Sequence, residues 1–478
     1  MSDDSALARR LAQARQLVAQ GEDEAAKTAY LELLHDDPTH FAALNELGTL
    51  AHASGHRSAA RTAYEQAVRC HPDNPAGRVN LGNLLSEDGA LAAARLHYEA
   101  ALAADPDFAA AHQGLARVLT ELGEAEAAEP HWHKGFAGNA LVTMSYRGVG
   151  PSVPVLLLVS ARGGNIPTQN FLDDQVFEIA ALYAEYYDPA QPLPAHLLVF
   201  NAIGDADMCG KALSRAEEIL AHTKVPVVNP PSLVRATGRV ANARRLANLR
   251  GVVAPSITSH SRAGLLAAQN FRCPLLLRAP GFHTGRHFLR VERPEDVAAA
   301  VNTLPGDELL AIEYLDARGP DGMARKYRVM IIDGVLYPLH LAIASEWKVH
   351  YFTADMARNQ AHRDEERRFL DDMAAVLGER ALSALTAIGR TLGLDYAGVD
   401  FGLAPDGSVL LFEANATMVV NSPDPDPMWD YRRAAVARVI DAAKRMLIAR
   451  AKLLNGLDPI GRNDAARGGR EPNAEQDH

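Results

Sequence analysis

Apolar and polar positions follow two rhythms along the chain, and they change near residue 140. In the first stretch, four series step by 34 residues each. The glycines Gly21, Gly55, Gly89 and Gly123 form one series, and the prolines Pro38, Pro72 and Pro106 a second. The small residues Ala26, Ala60, Ala94 and Ala128 keep the same step, as do the aromatics Tyr30, Tyr64, Tyr98 and Trp132. A fixed period of this length marks stacked supersecondary units. Each glycine suits the left-handed turn that ends a first helix. Each alanine lets two helices approach, each aromatic fills the gap to the next pair, and each proline stops a second helix. A lone helix pair cannot bury its apolar face, so four pairs are expected to stack into a solenoid with a concave groove.

Leu47-Gly48 and Leu81-Gly82 sit on the predicted first helices. With the 34-residue register, they make residues 7–140 resemble the tetratricopeptide repeat family. The end repeats depart from it: Gln13-Ala14 and Leu115-Ala116 replace Leu-Gly, and the fourth repeat lacks its terminal proline. Polar residues of the first helices would face the groove. Asn45, Asn80 and Asn83 are candidates for gripping a peptide backbone, the last two sharing a helix face. His131 and His133 flank Trp132, but two histidines without a third ligand argue poorly for a metal.

Beyond a Gly/Pro/Ser joint, short apolar runs take over. Val155–Val159, Leu197–Gly204 and Val225–Asn229 read as strands, with helices expected at about 173–187 and 211–222. That pattern predicts a small α/β unit with a parallel sheet, whose loop Arg162-Gly163-Gly164-Asn165 is a substrate-loop candidate. A helix at about 239–250 precedes Val253-Ala-Pro255. The strand ending at Arg278 then runs into the loop of Gly281 and Gly285, a pairing suited to polyphosphate. Glu308–Asp316 reads as a strand entering a hinge. Lys326–Tyr337 reads as a hairpin with an Asp-Gly turn. The most informative run is Tyr396-Ala-Gly-Val-Asp400-Phe-Gly through Leu-Leu-Phe-Glu413-Ala-Asn415, two apolar strands joined at Asp406-Gly407. Glu413 and Asn415 share a strand face, and Asp400 lies across the hairpin. Three hard oxygen donors interrupting apolar strands suit Mg²⁺ on nucleotide phosphates.

Asp400 followed by Glu413-x-Asn415 resembles the metal motif of the ATP-grasp family, over about residues 150–450. Its Gly-Val-Asp is similar to the branch of amino-acid ligases that modify peptide or protein carboxylates. The resemblance implies a fold class: an all-α repeat solenoid followed by an α+β ATP-grasp fold, with a small α/β subdomain ahead of it. It implies ATP and Mg²⁺, the metal on Asp400, Glu413 and Asn415. It places Arg278 at a phosphate-binding lysine, Arg239 at the other phosphate-side lysine, and Lys348 at a later phosphate-binding arginine. Glu313 and Tyr314 fall at the adenine hinge, Lys326 beside the nucleotide, and Arg328 at the middle-strand arginine, which with Arg278 would be catalytic. Arginine at positions 239 and 278 keeps the charge but changes its geometry. His340 stands where some members carry arginine, and Ala416-Thr-Met replaces the usual proline-glycine. A second resemblance dissolves: His362-Arg363-Asp364 and Asp400-Phe-Gly402 mimic kinase signatures, but Phe369 replaces the required asparagine and the glycine loop with its lysine is missing.

The implied activity is an ATP-dependent carboxylate–amine ligase using an acyl phosphate, with a small-molecule amine or amino acid as second substrate. The repeats would deliver a peptide or protein. Two rivals are an adaptor with a non-catalytic nucleotide domain, and a small-molecule ligase whose repeats serve assembly. The expected divisions are 1–140 repeats, 141–153 linker, 154–236 α/β subdomain, 237–455 ATP-grasp domain and 456–478 disordered tail.

Bulk properties narrow the partners. A length of 478 residues with 48% hydrophobic and 22% charged positions is ordinary for a globular chain of two or more units. The net charge of −11 is uneven: residues 1–140 hold 11 Lys and Arg against 20 Asp and Glu. An acidic repeat half argues against nucleic acid and favours a basic peptide. The start, Met-Ser-Asp-Asp, is unlike a secretory signal, and the densest apolar run is too short to cross a bilayer. With three scattered cysteines, Cys70, Cys209 and Cys273, the expectation is a cytoplasmic protein without membrane partners.

Overall fold

The computed structural model describes residues 3–268, 271–282, 285–349 and 354–452, and divides into two compact units at Ala140/Leu141. The first unit is four antiparallel helix pairs: α1 (Asp3–Gln20) with α2 (Asp23–Asp36), α3 (Phe41–Ala53) with α4 (Arg57–Cys70), α5 (Pro75–Glu87) with α6 (Leu91–Ala104), and α7 (Ala109–Glu121) with α8 (Ala125–Phe136). The periodic glycines turn at φ between 76° and 84°, as their left-handed role requires. The periodic alanines are fully buried, and the aromatics beside them nearly so. Tyr64 lies against Gly48, while Tyr98 lies between Gly82 and Gly114, so any Cβ there would meet a ring.

The second unit begins with β1 (Leu141–Thr143), β2 (Val153–Val159), β3 (Phe177–Tyr183) and β4 (Leu198–Asn201). Then come α9 (Gly210–Leu220), β5 (Val227–Val228), α10 (Pro231–Arg235) and α11 (Arg239–Leu246). Their sheet runs β1-β3-β2-β4-β5, parallel except for β1, which pairs antiparallel with β3. Two expectations fail here. Residues 173–187 form no α-helix but carry β3 and a single 3-10 turn at Ala184–Tyr186: the spacing of Phe177, Ala180, Ala181 and Ala184 suits a helical face, yet a strand covered on both sides is also almost wholly apolar. The sheet covers Phe177, Ile179, Ala180 and Leu182. The expected linker 141–153 supplies the edge strand β1, because Leu141–Thr143 finds backbone partners along β3.

The chain continues through β6 (Val252–Val253), β7 (Ile257–Ser261), α12 (Arg262–Ala267), β8 (Leu275–Arg278), β9 (Phe288–Val291), α13 (Val297–Thr303) and β10 (Glu308–Glu313). The second sheet, β7-β10-β8-β9, is antiparallel, and Leu277, Val291 and Leu309 on one face pack with Leu265 and Val301 of its helices. The third is built from β11 (Ala324–Ile332), β12 (Val335–Ala344), β13 (Tyr396–Leu403) and β14 (Val409–Asn415), in the order β12-β11-β13-β14-β6. Its pairs are antiparallel except β14–β6. Helices α14 (Gln360–Asp371), α15 (Met373–Leu392) and α16 (Asp430–Lys452) back this sheet. The supposed kinase triplet His362-Arg363-Asp364 lies within α14. The predicted tail at 456–478 lies outside the described residues.

Asn229 ties the first sheet to the third. It adopts φ 54°, donates its side-chain N–H to Tyr396 O (2.8 Å) and accepts from Tyr396 N (2.9 Å). Its own backbone N–H donates to the Asp395 carboxylate (2.9 Å), and its carbonyl accepts from Asn201 (2.9 Å).

The repeat packing makes one prediction. An alanine Cβ would lie 2.9 Å from the Tyr98 ring at Gly82 and 2.3 Å at Gly114, and that ring is fully buried. Gly82→Ala and Gly114→Ala should each cost about 1–3 kcal/mol by overpacking, Gly114→Ala the more, read as a fall in the urea midpoint of the repeats.

Candidate functional site

Alternation along β11 puts Lys326 and Arg328 on one sheet face and sends Tyr327 to the other, against Phe401 and Phe369. Cross-strand pairing then builds a row: His340 opposite Arg328, Arg328 opposite Asp400, Asp400 opposite Glu413. The Arg328 guanidinium donates to both Asp400 oxygens, at 2.5 and 2.8 Å, and Lys326 Nζ sits 3.2 Å from the same carboxylate. Burial by itself works against the Asp400 anion. Arg328 and Lys326 overcome it and hold the group far below the usual carboxylate range. Glu413 is likewise lowered against its burial, chiefly by Arg239, whose guanidinium donates to Glu413 at 2.5 Å. His340 is pulled well below the usual imidazole value by burial and then by Arg328, so it is neutral at pH 7.

The glycines around Asp400 serve packing. A Cβ at Gly398 would meet Met418 at 2.6 Å and Met330 at 2.9 Å, and one at Gly402 would meet Ala317 at 2.5 Å. Only glycine lets Met418 at Gly398, and the segment after β10 at Gly402, approach β13 this closely, which is the local reason for Gly398-Val-Asp400-Phe-Gly402.

This row floors a cavity of about 660 Å³ between the second and third sheets, a size usual for a small-molecule site. Arg239, Arg278, Glu313, Tyr314, Lys326, Arg328, Lys348, Asp400 and Glu413, all expected from sequence, line it. Seven basic side chains face four acidic ones there, although the chain as a whole is acidic. Such a cavity concentrates anions. Arg278, at the end of β8, donates to Phe282 O and lies 5.5 Å from the Phe288 ring. Burial and then Arg239 pull it down to about 10, still a cation at neutral pH. Lys348 donates to Gly285 O, and so closes the glycine loop against the opposite wall. Glu313 accepts from Ser256 N at 3.0 Å, and Tyr314 carries the Arg290 guanidinium 4.1 Å from its ring centre.

Asn415 borders a smaller adjoining pocket with Asp205, Asp207, Arg239 and Glu413. Its amide oxygen accepts from Thr417 N and Oγ1, both at 3.0 Å, and its nitrogen donates to Glu413 at 2.9 Å. The backbone N–H of Thr417 fixes that orientation, so in this conformation Asn415 steadies Glu413. The residues fit Mg²⁺ in one manner: two carboxylates on neighbouring strands are too few for an all-protein cage but suit an ion carried in on phosphates. Among the described residues, no group of three or more His, Cys, Asp or Glu is arranged to hold a metal.

The loop 162–165 does not line the large cavity. Asn165 ties back to Ser160 in both directions (2.7 and 2.8 Å), and Gly164 O accepts from Gly204 N and Asp205 N. The neighbouring loop reaches the site instead: the Asp207 carboxylate accepts from Arg239 N at 3.0 Å. The sequence reading missed Asp207, whose signal was an Asp-x-Asp just after a buried strand. It also missed Trp347, Trp429 and Arg432 of the cavity wall. No local motif marks these three, which reach the wall only through folding.

Residues 11–75, 46–107 and 79–132 each match the tetratricopeptide repeat family. The segment 11–132 is an array of tetratricopeptide repeats. Among solved structures, MamA is 21% identical over 26% of this chain and 74% of its own, with a TM-score of 0.25. The MamA fragment from Desulfovibrio magneticus RS-1 is 21% identical over 27% and 74%, at 0.25. A tetratricopeptide repeat protein from Parabacteroides merdae is 21% identical over 28% and 54%, at 0.26. No curated protein sequence matches the chain. Among the described residues, no helix is long and apolar enough to cross a membrane. Tetratricopeptide repeats are protein-interaction units, but the three asparagines expected in their groove are half-buried and bonded within the array. Asn80 donates to Asn45 at 2.8 Å, between the first helices of adjacent repeats, and Asn83 accepts at 2.7 Å from the hydroxyl of Tyr98 on the second helix of its own repeat.

The buried row predicts two responses. Asp400→Asn leaves Arg328 and Lys326 without their counter-charge and should cost about 3–5 kcal/mol in denaturant unfolding. Asp400 and Glu413 titrate below their ordinary 3.8 and 4.5 when folded, so the unfolded chain binds more protons in acid. Stability is therefore full above those values and is lost as pH falls below them toward the lower folded values. In Glu413→Gln that acid limb should flatten, measured by unfolding at stepped pH.

Proposed function

We propose that the second unit is an ATP-dependent carboxylate–amine ligase. The observation that carries this reading is the His340–Arg328–Asp400–Glu413 row at the floor of a basic cavity, with Arg239, Arg278, Lys326 and Lys348 converging on it. Five cations, Arg328 included, around two carboxylates leave an excess positive charge that a polyphosphate would neutralise. Mg²⁺, when bound, would draw on Asp400 and Glu413 and offset charge on the phosphates. The apolar wall of Ile257, Leu276 and Ile312, ending at Glu313 and Tyr314, suits the base.

In the chemistry proposed, a substrate carboxylate oxygen bonds to the γ-phosphorus of ATP as the bond to the β–γ bridging oxygen breaks. ADP leaves with that electron pair. An amine nitrogen then bonds to the acyl carbon, inorganic phosphate departs with the C–O pair, and the nitrogen's proton passes to solvent. Arg328, Arg278 and Arg239 hold fixed positive charge where negative charge develops. No serine or cysteine nucleophile is required, and burial pushes the Cys209 thiol up to about 12, which makes it inert. The tetratricopeptide repeats, acidic as a unit, would bring a basic or amide-rich peptide to the ligase.

Mg–ATP should raise the melting temperature, with roughly 2.7 kcal/mol of stabilisation at a hundredfold excess over Kd, and Glu413→Gln should lose most of the shift. Turnover should release ADP, and hydroxylamine should trap a hydroxamate. No shift at millimolar nucleotide refutes the reading, and AMP as product refutes the acyl phosphate.

A further inference from the structure

The hinge and the basic row account for one part of the cavity wall. A further part of the wall comes from α16, the segment before it, the segment before α14 and β12, through Trp429, Arg432, Met418, Met356 and His340. Arg432 is 6% exposed yet forms part of this wall, in the first turn of a helix whose inner face is otherwise apolar. Its Nε donates to Glu366 Oε1 at 3.1 Å, and its guanidinium lies 5.9 Å from the Trp429 ring centre. Glu366, from α14, is completely buried. Its carboxylate also accepts from the Tyr431 hydroxyl (2.5 Å) and from Leu341 N (3.3 Å), so it is held from two elements, α16 and β12.

A buried ion pair adds little to stability compared with apolar residues of similar size. What the arrangement does supply is a guanidinium whose plane is set by a rigid carboxylate behind it. A planar donor fork fixed at a cavity wall is matched by a carboxylate. Position agrees: His340 lines the cavity together with Arg432 and pairs in register with Arg328, so this part of the wall adjoins the basic row.

Resting on the ligase reading for the nucleotide, we propose that Arg432, positioned by Glu366, anchors a substrate carboxylate at this part of the cavity wall. The substrate is then itself an anion, such as a free amino acid, a dicarboxylate or a peptide C-terminus, bound beside the nucleotide. Trp429 and Met356 provide the apolar surface for its carbon chain.

The test uses the full chain and thermal shift, with and without Mg²⁺ and a non-hydrolysable ATP analogue. The probes are L-glutamate, L-alanine, succinate and glycylglycine, each beside its neutral amide. At least one carboxylate should add a shift that its amide does not. The responding probe separates free amino acid, dicarboxylate and peptide terminus. Arg432→Gln should weaken that binding by about tenfold or more and keep the nucleotide shift, with Arg432→Lys in between. Glu366→Gln should weaken it with the nucleotide shift intact. If Arg432→Gln does not fold, phenylglyoxal labelling of the parent protein replaces it: the carboxylate should slow modification of Arg432 and spare Arg380, an exposed arginine outside the cavity wall. The proposal is overturned if none of the carboxylates adds a shift, if Arg432→Gln binds them as the parent does, or if labelling of Arg432 is unchanged. A parent that binds a carboxylate at Arg432 but shows no nucleotide shift supports this inference and refutes the ligase reading.

Discussion

The second unit depends on one buried interaction, the two-pronged pairing of Arg328 with Asp400 across the centre of the third sheet. Taken alone, each charge would be costly where it sits. Together, and with Lys326 on the same carboxylate, they permit a row of ionisable residues along a sheet that is otherwise apolar. Glu413 is drawn into the row by register and kept ionised by Arg239, which arrives from a helix after the first sheet. The cavity's excess of positive charge follows from this: the two carboxylates are already committed to partners, while Arg278 and Lys348 of the same wall are held by backbone carbonyls, which leave their charge uncompensated.

Much of this was legible because it is local. The 34-residue series fixed both the repeats and their turns, since a glycine at φ near 80° and a buried alanine are needs of each helix pair. The Asp400/Glu413 hairpin was legible for a similar reason: a period-two pattern and a turn place the two carboxylates without reference to the rest of the fold. Arg239 and Arg278 required the family resemblance, because nothing near them in sequence says that they meet Glu413 or face its cavity.

The failures have physical causes too. Strand β3 was read as a helix because a doubly covered strand loses its alternation, leaving a run that fits either period. The three asparagines were expected to grip a peptide in the groove on the strength of helix faces alone; Tyr98, fifteen residues further on, claims Asn83, and Asn80 finds Asn45 in the preceding repeat. Arg432 was invisible because an arginine in a helical run reads as surface, and only Glu366, sixty-six residues earlier in the chain, gives it a reason to be inside.

The bonds of Asn229 bear on how this chain can be divided. Its side chain meets both backbone groups of Tyr396, in a different sheet, while its main chain is held by Asn201 and Asp395. A cut near residue 236, natural by composition, would strip a donor and an acceptor from the start of β13, four residues before Asp400. The α/β segment is therefore a permanent buttress of the site rather than an attachable module, and any exchange of parts between proteins of this build would have to carry residues 154–236 and β13 together.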